Sequence, residues 1–200
     1  MTDAARLDND WYAPAKHGSA MARSGEERTD QVRSVADPKP NDFTQAMRCV
    51  ASTVFVLTTA LDNRRFGLTA TSVCSLSADP PSLLACVSRT AEAHDAIIAS
   101  RRICINALRE DQRTIAARFS GAYGDKGERR FADADWYALA TGAPVLRDAA
   151  AVFDCDIFEA RQYKTHSVLT CLLKAVDFGP AVRPLLYAHR QYASVSTDPG

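Results

Sequence analysis

Long apolar runs are missing from this chain. None approaches the roughly 18 residues that a membrane helix needs, and the N-terminus lacks the basic start and apolar centre of a secretory signal. A net charge is missing too. The 24 Lys and Arg balance 24 Asp and Glu, so no global field recruits nucleic acid or an anionic membrane. The expectation is a cytoplasmic protein with neither kind of partner. The six cysteines include no C-x-x-C pair, and the four histidines are scattered without ligand spacing, which argues against a metal site. Neither G-x-G-x-x-G nor G-x-x-x-x-G-K-[ST] occurs, which removes the Rossmann and P-loop readings. No serine sits in G-x-S-x-G, so a hydrolase has little support.

What remains is 200 residues with 46% hydrophobic content, enough for one good core. Residues 1–40 differ from the rest. Their only branched aliphatics are Leu7, Val32 and Val35, and they show no periodicity. They read as a disordered tail, with Trp11 and Tyr12 as the points where it would meet the body or a partner subunit. The folded domain is expected over 41–196.

That domain opens with a helix near "NDFTQAMRCVAS", capped by Asn41 or Asp42, with Phe43, Met47 and Val50 on one face. "TVFVLTTA", "FGLTATS", "PSLLACVS" and "RICINAL" read as strands. "TAEAHDAIIAS" reads as a helix capped by Thr90, and "REDQRTIAARFS" as one that stops at Gly121. The segment "GAYGDKGERRFADADWYALATGAP" looks loop-rich and polar. Two long alternating strands follow, one with Phe153, Cys155 and Ile157 on a face, the other with Leu169, Cys171, Leu173 and Ala175. "PLLYAHRQYASV" then reads as two short strands around a turn. Strands that follow one another without intervening helices favour a mainly β fold, an antiparallel barrel with flanking helices, over a doubly wound parallel sheet. Most cysteines lie in these apolar runs and read as small core hydrophobes.

Three places could carry chemistry. The stretch "GLTATSVCSLS" is dense in hydroxyls, at Thr69, Thr71, Ser72, Ser75 and Ser77. Buried hydroxyls without partners are costly, so that density asks for a polar ligand. Ser88, Arg89 and Thr90 sit between a strand and an expected helix start, where side chains and helix N–H groups would together suit a phosphate. A plain Thr cap beside a solvated arginine is the bland alternative, and the neighbouring "TATS" donors tip the balance. His166, in "YKTHSV" at the start of a long strand, is the histidine best placed at a barrel rim. The carboxylates of "DCD" and "DADW" look like solvated surface.

In this order, "GLTATSVCSLSADPPSLLACVSR", "INALREDQRTIAARFSG", "THSVLTCLLKAV" and "PLLYAHRQY" resemble the short-chain flavin reductase family over roughly residues 43 to 195. The resemblance implies an FMN-binding split β-barrel, Greek-key-like, that dimerises with its flavin near the interface. It also implies FMN or FAD as cofactor, NADH or NADPH as hydride donor, and a flavin-dependent monooxygenase that receives the reduced flavin. By the same resemblance, Thr69, Ala70, Thr71, Ser72, Val73, Cys74 and Ser75 line the flavin, and Ser88, Arg89 and Thr90 hold its phosphate. Phe119, Ser120 and Gly121 close the pocket, and His166 stands at the nicotinamide site. One departure concerns that last site, where the family usually has Gly-Asp-His and this chain has Lys164-Thr165-His166. The departure leaves NADH versus NADPH open. The expected activity is therefore NAD(P)H:flavin oxidoreduction. The rivals are reduction of a bound corrinoid or ferric complex, and a flavin carrier or sensor without turnover.

Overall fold

The computed structural model describes residues 37, 39–179 and 183–195. The expected tail lies outside the described residues except at its end, and so does Ser196, the expected end of the domain. The described residues contain three α-helices: α1 (Pro40–Met47), α2 (His94–Ser100) and α3 (Arg113–Phe119). The main sheet is built from β2 (Phe55–Leu61), β3 (Arg64–Ala70), β4 (Val73–Ala78), β5 (Pro81–Ser88), β6 (Arg102–Ala107), β9 (Ala151–Tyr163) and β10 (His166–Asp177). Its order is β3-β2-β6-β9-β10-β5-β4, and every neighbouring pair is antiparallel.

This order forces the sheet to curl. Six strand spacings of about 4.8 Å would hold the edges of a flat sheet nearly 29 Å apart. The edge strands β3 and β4, however, are joined by Thr71 and Ser72 alone, and three Cα steps reach at most about 11 Å. The result is a split barrel, as the sequence led one to expect.

Side chains alternate along the strands and feed two cores. Leu57, Ile103, Ile105, Cys155, Ile157, Leu169 and Cys171 join Ala93 and Ile97 of the α2 region in one. Val56, Cys104, Val152, Phe119 and Leu146 belong to the other. All six cysteines are free, and Cys104, Cys155 and Cys171 are buried, as apolar strand positions should be. Two β-bulges interrupt the long β9–β10 ladder, at Phe158 and Lys174. The alternation expected for β10 therefore holds through Leu173 and is broken before Ala175.

A small sheet, β1 (Ser52–Thr53), β11 (Leu185–Ala188) and β12 (Gln191–Ser194), lies beside the barrel sheet in the chain's pairing scheme. The hairpin of β7 (Trp136–Ala138) and β8 (Pro144–Leu146) comes largely from the segment expected to be loop-rich. That segment also carries a 3-10 helix, Gly127–Phe131, and sends Phe131 and Trp136 into the second core.

Other differences are local. Helix α1 begins at Pro40, with the Asp42 carboxylate accepting the Lys39 N–H at 3.2 Å. Its apolar face stays open: Phe43 is 65% exposed and Met47 46%. Of the two "DCD" carboxylates, Asp156 is at the surface and pairs with Lys174 at 3.6 Å. Asp154 is instead fully buried, accepting the Thr141 N–H at 2.7 Å and the Thr141 hydroxyl. The β7–β8 connection folds over β9 and turns what would be its solvent face into a second interior.

Candidate functional site

A cavity of about 360 Å³ opens where the β3–β4 link, the end of β5, the start of β10, the end of α3 and the β11–β12 hairpin converge. Thr69, Ala70, Thr71, Ser72, Ser88, Ser120 and His166 are all on its wall, so half of the expected site residues are brought together, while Arg89 and Thr90 follow Ser88 without lining it.

Each is placed by a backbone reason. Thr69, the last residue but one of β3, donates its hydroxyl to the Ala116 carbonyl at 2.6 Å, which ties the strand to α3. Thr71 and Ser72 fall in the gap between strands, where ladder bonding stops. Ser72 still accepts the Cys86 N–H through its carbonyl at 2.9 Å. Among the described residues, neither the N–H groups nor the hydroxyls of Thr71 and Ser72 have a partner. Uncommitted donors at the rim of a cavity are what the polar edge of a planar heterocycle requires.

Ser88 and His166 face each other across the β5–β10 ladder. The His166 ring is exposed, with Nδ1 2.9 Å from the Thr165 hydroxyl. Behind it, Ser167 is buried and lies 2.9 Å from Nε2 of the buried His94, a clasp that pins α2 to β10.

The Ser88-Arg89-Thr90 turn is tight. The Ser88 and Thr90 hydroxyls are 3.0 Å apart, the Arg89 N–H donates to the Thr165 carbonyl at 3.0 Å, and the Arg89 guanidinium donates to the Lys164 carbonyl at 3.2 Å. Thr90 does not cap α2, which starts later at His94 and follows Ala93. The helix terminus therefore plays no part here, and any anion would be held by side chains and turn N–H groups.

The other expected residues lie elsewhere. Val73, Cys74 and Ser75 line a separate cavity of about 400 Å³ with Phe55, Leu83 and Leu173, because the chain leaves the first cavity at Ser72. Phe119 is 2% exposed and packs 5.0 Å from Phe131 and 5.6 Å from Trp136. It supports the wall from behind. Gly121, at φ +88°, ends α3 in a conformation open to glycine and is not on the wall.

Leu68, Cys86, Val54, Tyr187 and Tyr192 complete the lining without having been singled out. The two tyrosines pack edge to face, 5.4 Å apart. Burial, and secondarily Cys74, push the Cys86 thiol up, away from the lowered range of reactive cysteines.

Residues 47–196 match the model of the flavin reductase like domain. The FMN reductase (NADH) RutF of Bradyrhizobium diazoefficiens is 37% identical over 164 residues, 82% of this chain and 90% of that protein. An FMN reductase (NADH) RutF 2 of Methylorubrum extorquens is 41% identical over 150 residues, 75% of this chain and 86% of its own length. Among solved structures, one described as a flavin reductase of Haemophilus somnus superposes with a TM-score of 0.76 at 34% identity, covering 79% of this chain and 100% of its own. The flavin reductase component of a bacterial two-component tryptophan halogenase superposes with a TM-score of 0.73 at 25% identity, over 80% of this chain and 100% of its own.

Proposed function

The chain belongs to the flavin reductase like family, and from that premise we propose how its cavity serves NADH-dependent reduction of FMN or FAD. When bound, the flavin supplies the ring that accepts a hydride, and the reduced nicotinamide supplies the hydride. The chain's own work is to bind, orient and exclude water.

The carrying observation is the set of free donors at Thr71 and Ser72, facing the Ser88–His166 rung across one cavity. Thr69 to Ser72 and Ser120 would hold the flavin's polar edge and side chain. Ser88, Arg89 and Thr90 would take its phosphate, with Arg89 as the charge. Tyr187 and Tyr192 provide aromatic surface and keep water from the rings. His166, exposed at the rim, would hydrogen-bond the nicotinamide half of the donor. The hydride step itself requires no proton from the protein.

The test is direct. Purified protein with NADH and FMN or FAD should oxidise NADH catalytically, and no oxidation with either flavin would overturn the reading. His166→Ala should raise the KM for NADH about tenfold, equivalent to ~1.4 kcal/mol, with flavin affinity unchanged. A fall in kcat with loss of one limb of the pH profile would instead make His166 a general acid.

The wider setting follows the relatives. Reduced flavin would pass to a flavin-dependent monooxygenase, as the halogenase reductase component serves its own partner. The cytoplasm suits a chain that uses NADH and keeps all six cysteines free. We also propose a homodimer. Phe43, Met47 and Val50 around α1, and Phe158 and Tyr163 on β9, leave large apolar side chains in water, the last two at 67% and 71% exposure. Light scattering should give twice 21.8 kDa, and the single-chain mass would overturn this.

A further inference from the structure

A further cavity, of about 320 Å³, shares Thr71 and Tyr187 with the one that His166 lines. Its chemistry is different. Arg48, His189 and Arg190 line it with the hydroxyls of Thr44 and Ser52, and among the described residues no carboxylate lines it. In a chain of zero formal net charge, two guanidiniums and an imidazole gathered without acidic counter-charge make a local field suited to an anion.

Two further features set this basin apart from a chance patch. Arg48 is only partly engaged: Nη1 donates to Gln45 Oε1 at 2.7 Å, while Nε is buried without a partner among the described residues. Guanidinium donors left unmatched in this way favour an incoming acceptor. His189 and Arg190 are the two central residues of the β11–β12 turn, and both are left-handed, at φ 49° and 63°. Such turns favour glycine and asparagine. Here the strain is accepted and an imidazole and a guanidinium are displayed instead. The His189 N–H donates to the Arg48 carbonyl at 2.8 Å, so turn and helix end form one unit.

The choice of anion rests on the reading of the first cavity as the place of hydride transfer. A nicotinamide dinucleotide must lay its ring in that cavity, and its charged phosphates then lie beyond the edge. The cations stand in the basin that adjoins this edge through Thr71 and Tyr187. We propose that Arg48, His189 and Arg190 hold the pyrophosphate of the dinucleotide donor, and so set its preference for a dinucleotide over a bare dihydronicotinamide.

The experiment compares wild type with Arg48→Gln/Arg190→Gln, and with Arg190→Gln alone in case the double variant folds poorly. The donors are NADH and the phosphate-free N-benzyl-1,4-dihydronicotinamide. The double variant should raise the KM for NADH tenfold or more, and Arg190→Gln severalfold. The KM for the phosphate-free donor and the Kd values of FMN and FAD should hold. An unchanged KM for NADH overturns the proposal, and so does a parallel loss of FAD affinity, which would give the basin to the flavin. Calorimetric titration with NAD+ reads the basin independently of turnover. Binding that weakens in the variants supports the proposal even if wild type reduces no flavin, a result that would sink only the reading of the first cavity. Equal NAD+ binding by variants and wild type overturns it.

Discussion

Gly67→Ala is expected to destabilise the protein by about 2–3 kcal/mol and to lower its melting temperature by roughly 5–10 °C. An added Cβ would meet Phe119 Cε1 at 2.6 Å and Cδ1 at 2.9 Å, with the Leu57 carbonyl at 3.1 Å. The ring has nowhere to go, since Phe131 stands edge-on to it at 88° and Trp136 closes a second side. The carbonyl of Gly67 is also held, by Arg130 at 3.0 Å. Phe119→Ala alone should cost about 3–5 kcal/mol by emptying the centre of this cluster. Combined, the two should cost clearly less than their sum, because the methyl that replaces the glycine hydrogen enters the space the ring vacates. Urea unfolding of the two single variants and the double closes this cycle. Strict additivity would show that the close approach of β3 to α3 is not what fixes the glycine.

That pair of residues also shows what the sequence could and could not disclose. Phe119 stood out through a motif at the end of a helix, and the motif does mark the end of α3 beside the cavity. Only the fold decides that Ser120 takes the wall while Phe119 turns into the core. The strands were legible because alternation is a local signal: Cys155 and Ile157 share a face whatever the sheet order. The buried Phe131 and the half-buried Trp136 were not, because the residues that cover them come from distant parts of the chain. Asp154 misled for a similar reason. Its alternation was read correctly, but the layer that covers its face comes from Thr141.

The site divides in the same way. Hydroxyl density at Thr69 to Ser72 was visible, yet nothing local shows that the chain exits the cavity at Ser72 and carries Cys74 and Ser75 to another surface. Tyr187 and Tyr192 belonged to a recognisable segment, but they meet the cavity only through the pairing of β1 with β11. The same pairing brings Arg190 towards Arg48, which no spacing in the chain announces.

Arg89→Ala combined with Thr90→Ala should weaken FMN and FAD binding by about 100-fold or more and leave riboflavin binding nearly unchanged. Charge-assisted hydrogen bonds are worth about 1.5–3 kcal/mol each, and two of them correspond to at least two decades of affinity. The geometry makes this a clean comparison. Both side chains are exposed, and what the fold loses is limited to the Arg89 contact with the Lys164 carbonyl and the Thr90 contact with Ser88. The backbone bond from Arg89 to Thr165 survives both substitutions and keeps the turn in place. Riboflavin, which has the ring and ribityl chain but no phosphate, reports on the Thr69–Ser72 wall alone. If fluorescence titration shows all three flavins weakened equally, the phosphate is held elsewhere. The obvious other place is the Arg48–Arg190 basin, so the two sets of variants answer each other. Loss of FMN affinity in the first set, with loss of NADH affinity in the second, assigns one cationic site to each nucleotide.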